Sequence, residues 1–260
     1  MKIEEIIKAK YLYKDGLNIF KILYFFFQFV KLKLNPRIIN ANWGIDIVIN
    51  AIFKNKNKGI YIDVGCHHPL INNNTYLLYK RGWRGINIDL DFSSIEMFNY
   101  FRPNDFNYKV ALSSKKGESD LFFFHNRAPK NTLNKENGKG AKLVKKIKTN
   151  TLDNIVEQSK LSIKEVDFLS IDVEGNELEV LKGFNIKKYN PKVVVLELIN
   201  KNTNSFYEQK IENIQKSLIY KYMIKNNYKL SNWIHDDLVF VSNKFIKKRW
   251  FQLLFLLLII

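Results

Sequence analysis

An α/β fold with a mostly parallel central sheet, helices on both faces and a C-terminal antiparallel hairpin is predicted by three observations. Short β-branched runs recur along the middle of the chain, several of them ending in Gly or an acid. Helix-period segments separate them, the alternation that builds a parallel sheet covered on both sides. Two further strand-like runs flank His235-Asp236-Asp237 and are close enough to pair as a hairpin.

Taken in order, residues 59–64 (Gly-Ile-Tyr-Ile-Asp-Val) stop at Gly65, the pattern of a buried strand feeding a turn. Residues 72–81 suit a helix ending at Gly82, and 85–89 (Gly-Ile-Asn-Ile-Asp) form a second strand closing on an acid. A helix over 93–101 is stopped by Pro103. Residues 108–112, 119–124 and 166–172 read as strands, with a helix over 177–183 after the last. Residues 192–198 contain Val193-Val194-Val195-Leu196, the clearest sign of a strand buried on both faces. A helix over 206–226 precedes the hairpin strands 228–233 and 238–241. Residues 130–148, rich in Lys, Asn and Gly, read as a mobile surface loop. The predicted organisation is a helical, basic and aromatic extension at 1–58, a central domain at 59–243 and a basic then apolar tail at 244–260.

The chain has 260 residues, 46% of them hydrophobic, enough for a sizeable core; disorder, collagen and small disulfide scaffolds are excluded. Its single cysteine, Cys66, forbids an intramolecular disulfide and any zinc site built on several thiolates. Lys and Arg total 42 against 25 acids, a net charge of +17 that favours anionic lipid or phosphate. Only six of these are Arg, and Lys, Asn and Ile abound throughout, so part of the charge reflects composition rather than a partner. The amino-terminus lacks the charged, apolar and small-residue order of a secretory signal, and a cytoplasmic location is expected. Residues 19–30 are strongly apolar but too short to span a bilayer, which takes about 20 residues. They suit a helix in a lipid interface or one packed on the domain. The tail repeats the choice: Lys247-Lys248-Arg249 precede an aromatic and apolar run to Ile260. Peripheral contact with the inner face of a membrane is expected from these ends.

In a parallel sheet the chemistry gathers where strands stop, and acids dominate that edge here: Asp63, Asp89, Asp172, Glu174 and Glu197. Gly65 permits a tight turn against a ligand, and Asp89, 24 residues beyond it, is placed to accept hydrogen bonds from ribose hydroxyls. The loop Gly65-Cys66-His67-His68-Pro69 lacks the later glycines that admit a pyrophosphate at a helix start. Carboxylates suit a cationic, phosphate-free cofactor such as S-adenosylmethionine; the alternative is that the same acids are structural. His67 and His68 are adjacent and diverge, so no shared metal site is expected, although either could join the acids around a divalent ion. Asn72 to Thr75 could cap the helix that follows or reach a ligand.

Tyr61-Ile62-Asp63-Val64-Gly65-Cys66-His67-His68-Pro69, Gly85-Ile86-Asn87-Ile88-Asp89 and Phe168-Leu169-Ser170-Ile171-Asp172-Val173-Glu174-Gly175-Asn176-Glu177 together resemble the FkbM-like S-adenosylmethionine-dependent methyltransferases. The resemblance covers about residues 59 to 242, departs from many relatives at Cys66 and Ser170, and implies a Rossmann-like methyltransferase fold. It implies that Asp63, Gly65, Cys66 and His67 line the methionine end of the cofactor, that Asp89 holds the ribose, and that Val110 and Ala111 approach the adenine. Asp172 and Glu174 would face the transferred methyl group. It also implies O-methylation of a sugar or glycan hydroxyl. Glu174, Asp172, Glu197 and His67 are the catalytic candidates, with Glu174 first as base. A nucleic-acid-binding protein or RNA methyltransferase, suggested by the net charge, is the second reading, weakened because the lysines are spread rather than clustered.

Overall fold

The computed structural model describes residues 18–34, 40–126, 128–159, 161, 164–199 and 210–248. The apolar run at 250–260 and the start expected for the helix at 206 lie outside these residues.

The central sheet has seven strands in the order β3-β2-β1-β7-β8-β10-β9. β1 (Ile60–Val64), β2 (Arg84–Asp89), β3 (Phe106–Lys109), β7 (Phe168–Ile171) and β8 (Val193–Glu197) are parallel. β10 (Asp237–Ser242) runs antiparallel to β8 and to β9 (Tyr228–Ile234). The order reverses at β1, whose neighbours are β2 and β7, so the sheet is doubly wound and Rossmann-like with its switch point at the end of β1.

Strand alternation sorts the side chains onto two faces. Ile62, Val64, Ile86, Ile88, Leu169, Ile171, Val194 and Leu196 share one core with α5 (Leu152–Gln158), α6 (Glu177–Lys182) and α9 (Leu218–Lys225). Tyr61, Phe168, Val193, Val195 and Val239 share the other with α2 (Ile45–Ile52) and α3 (Tyr76–Lys80). Burial on both faces explains why β8 is an unbroken apolar run. α4 (Phe92–Phe101) starts where Asp91 accepts from the Ser94 N–H, and α5 where Thr151 accepts from the Asn154 N–H. Residues 186–189 form a short helix, α7, before β8.

α1 (Asn18–Leu34) is one helix across the apolar segment. Tyr24 and Phe25 are buried with Met97 of α4, and Lys21 pairs with Glu96. The opposite side leaves Ile22 at 57% and Phe26 at 58% exposure, so the helix both packs on the domain and keeps an open apolar face. Among the described residues no helix is long and apolar enough to cross a membrane.

Three expectations are corrected. The loop expected over 130–148 holds only to residue 142: β6 (Leu143–Asn150) pairs with β4 (Ala111–Leu112) and β5 (Gly117–Phe123) in a second, three-stranded sheet. No alternation marks this strand, because Leu143, Val144, Lys145, Lys146 and Lys148 are all exposed. The expected strand 108–112 divides at Val110, where the chain leaves the large sheet for the small one. The helix before the hairpin is two, α8 (Ile211–Lys216) and α9, because extended Ser217 ends the first and caps the second.

Candidate active site

β1 ends in a tight turn that only glycine permits. Gly65 has φ +77°, and a Cβ there would stand 1.7 Å from the Asp172 carbonyl oxygen. The Gly65 and Cys66 N–H groups donate to Ile88 O at 2.8 and 3.1 Å, and the His67 N–H donates to Asp89 Oδ2 at 2.9 Å. Asp89 also accepts from the Asp91 N–H at 2.8 Å through Oδ1, so its carboxylate is fixed at the end of β2.

A cavity of about 250 Å³ opens over this edge. Gly65, His67, Asp89, Val110, Ala111 and Asp172 line it together, as do Glu174 and Glu197. Cys66 and Asp63 do not. The Cys66 side chain turns into a buried cluster with Ile95 and Phe98, where burial pushes its thiol well above the ordinary range. Asp63 alternates to the opposite face from Val64. Its Oδ2 accepts from Asn73 Nδ2 at 3.0 Å and Thr75 Oγ1 at 2.8 Å, and Arg102, 0% exposed, donates to Thr75 Oγ1, Asn73 Oδ1 and Pro69 O. Asp63 thus anchors the 66–75 segment from beneath, with burial raising its pKa despite Arg102. Thr75 precedes α3 but makes no side-chain cap; its hydroxyl is spent on Asp63. His68 is buried, and its Nδ1 accepts from the Leu70 and Ile71 N–H groups at 3.1 and 3.2 Å, which makes it a turn-holder rather than a base.

The acids at the ends of β7 and β8 meet. One carboxylate oxygen each from Asp172, Glu174 and Glu197 lies within 4.8 Å of the others, close enough to hold a divalent cation. Asp172 and Glu197 are near enough to hydrogen-bond. Burial, then the charges of Asp172 and its neighbours, push Glu197 up to about 11. Asp172 keeps surface open to the cavity, yet the enclosing protein and the Glu174 charge hold its pKa well above the carboxylate range. Burial and the Glu177 charge push Glu174 up to about 7. Asp237 sits opposite Glu197 in the β8–β10 register and is also pushed up to about 7, by burial and Asp236.

Glu174 itself is held in a left-handed conformation, φ 59°. Thr132 Oγ1 and Asn137 Nδ2 donate to its carbonyl at 2.8 and 2.7 Å, and Asn134 Nδ2 donates to Gly175 O at 2.7 Å. Glu177 Oε1 accepts from the Val173 and Gly175 N–H groups, both at 3.0 Å. The segment expected to be mobile is therefore what grips the loop after β7, and its Asn131 and Thr132 wall the cavity, as does Ala128 just before it. Sequence reading missed this clamp, since amides that recognise carbonyls 40 residues away leave no local pattern. It also missed Asp237 as a site acid; the signal available was its place at the start of a strand beside β8.

Among the described residues no Lys or Arg lines the cavity, while Asp89, Asp91, Asp172, Glu174 and Glu197 do. A phosphate would find no cationic side chain there, whereas a sulfonium and an ammonium suit a wall rich in carboxyls. Switch-point location, a fixed acid at the end of β2 and this donor set define a Rossmann-like enzyme for a cationic, phosphate-free nucleoside cofactor. Residues 63–229 match the family model described as the methyltransferase FkbM domain, and the chain belongs to that family. Its cofactor is S-adenosylmethionine, which the residues present fit: Asp89 would hold the ribose and the acids the charged end. Curated proteins yield no match to the chain. Among solved structures, a TehB-like SAM-dependent methyltransferase from Corynebacterium glutamicum is similar at 11% identity and a TM-score of 0.42, over 87% of this chain and 100% of that one. An O-methyltransferase from Bacillus cereus in complex with SAH is similar at 9% identity and a TM-score of 0.40, over 93% of this chain and 97% of that one.

Proposed function

We propose that the protein O-methylates a hydroxyl of a sugar or glycan, with Glu174 as the proton acceptor and a lipid-linked glycan as the natural acceptor. The observation that carries this reading is Glu174, pushed up to about 7 at the cavity wall beside Asp172 and Glu197. The bound cofactor supplies an electrophilic methyl group; the chain's residues do the rest. Aligning the acceptor oxygen about 3 Å from the methyl carbon is the larger part of the work. The clamped β7–α6 loop and the rigid Gly65 turn hold the two walls between which that alignment is set. With the cofactor bound, Glu174 would take the acceptor's hydroxyl proton as the methyl group is transferred, its pKa of about 7 suiting a base near neutral pH.

The acid-lined cavity also disfavours a phosphodiester acceptor, which weighs against the nucleic-acid reading. The open apolar face of α1 and the net charge of +17 support peripheral binding to anionic lipid at the inner face of a membrane. Two measurements test the reading. Calorimetric titration with S-adenosylhomocysteine should show micromolar binding that Asp89→Ala weakens at least about tenfold, the worth of losing charged hydrogen bonds. Methyl-labelled S-adenosylmethionine should then label neutral glycosides and not RNA; label in RNA alone would sink it.

A further inference from the structure

A second cavity, about 120 Å³, adjoins the first across Gly65, Asp172 and Glu197. Its walls include Asn42, Trp43, Asn72, Asn74, Asp236 and Asp237. Trp43 is the unusual member. Trp83 is fully buried in the same chain, yet Trp43 is 64% exposed. Its ring stacks on His235 with centroids 4.2 Å apart and planes 8° apart, so one face is covered and the ring is held flat. Both residues occupy left-handed backbone, φ 57° and 55°, a conformation that side chains with a Cβ seldom adopt. An outward, immobilised aromatic face beside a cluster of amides and carboxyls is a ligand platform rather than a core contact.

We propose that this cavity is the acceptor subsite and that Trp43 takes one face of an uncharged pyranose ring. The inference deepens the sugar O-methyltransferase reading and rests on it. A pyranose presents polarised C–H groups on one face, which the negative face of an indole attracts. Its hydroxyls can donate to the Asp236 and Asp237 carboxyls and accept from the Asn72 and Asn74 amides. A ring so placed brings a hydroxyl toward the shared boundary at Asp172 and Glu197, where the two cavities meet. The acids that accept neutral hydroxyls repel a uronate or a sugar phosphate, so the acceptor ring carries no negative charge.

Saturation-transfer NMR on the full chain loaded with S-adenosylhomocysteine tests this, with methyl glycosides of glucose, galactose, mannose and rhamnose as probes and methyl glucuronoside as the charged control. Neutral glycosides should receive saturation at their ring C–H protons and the glucuronoside should not. Trp43→Ala should reduce the signal about five-fold, as expected for losing an aromatic stack. Trp43→Phe should restore most of it, and Trp43→Leu, which keeps apolar bulk on His235 without a π face, should not. Affinity for S-adenosylhomocysteine should be the same in all four proteins, since Trp43 does not line the first cavity. Undiminished glycoside signals in Trp43→Ala and Trp43→Leu would overturn the Trp43 platform while leaving the sugar reading standing. No signal from any glycoside with wild-type protein that binds S-adenosylhomocysteine would overturn both.

Discussion

At the residue scale the site is governed by carboxyls that the fold keeps from ionising freely. Glu174 becomes a competent base only above about 7, so kcat should rise with pH through that value. Glu174→Gln should lower kcat about 10²–10³-fold and remove the pH rise while leaving S-adenosylhomocysteine affinity in place. A retained rise would assign the base to another group. Glu197 makes a thermodynamic prediction. Its folded pKa of about 11 lies far above the ordinary 4.5, so between those values the folded chain holds a proton that the unfolded chain has released. Stability therefore falls as pH rises across that window. Glu197→Gln removes this contribution, and its melting temperature should exceed that of the wild type by more at about pH 9 than at about pH 5. A difference independent of pH would show that the carboxyl is not held protonated.

At the scale of elements the decisive contact is between the 131–137 arm and the loop after β7. Three side chains from the arm satisfy carbonyls at Glu174 and Gly175, which fixes a left-handed Glu174 that would otherwise relax. Asn137→Ala removes one part-buried donor while Thr132 still serves the same carbonyl, a loss worth about 0.5–1.5 kcal/mol. Its effect should fall on kcat, about tenfold, more than on cofactor affinity, because Asp89 and the β1 turn lie elsewhere. Equal losses in both would mean that the arm shapes the whole cavity. The loop after β1 is the counterpart: Asp63, Thr75, Asn73 and buried Arg102 lock it from below. Chemistry thus sits between two braced loops, each anchored to a different core.

For the whole molecule the charge of +17 and the outer face of α1 act together. On the peripheral reading proposed above, electrostatic attraction would bring the chain to an anionic surface, and apolar side chains would hold it there. Vesicles containing phosphatidylglycerol should sediment the protein at low salt, and replacing Ile22 and Phe26 by Ser should weaken partition at least about tenfold. Binding that disappears with salt yet ignores the two substitutions would reduce the effect to charge alone. A glycan acceptor on a lipid carrier would then be presented to a site whose own walls are acidic, so the surface that recruits and the cavity that selects have opposite signs.

The sequence by itself determined most of the strands and the acids at their ends, because each is written locally. β-branched runs buried on both faces are legible as strands, Gly65 marks a turn no other residue can make, and strand-end acids follow from where the runs stop. Asp89, Asp172, Glu174 and Glu197 were identified this way, and His67, Val110 and Ala111 through the family resemblance; all seven line one cavity. Tertiary structure decided what those residues face. Packing turned Asp63 away from the first cavity and Cys66 into a core, although both lie within two residues of Gly65. A lysine-rich stretch became β6 and the clamp beside it, because its partners lie far along the chain. Trp43 and His235, 192 positions apart, became one stacked platform. The physical reason is common to all three: burial, pairing and pKa depend on neighbours in space, and spacing along a chain records only neighbours in sequence.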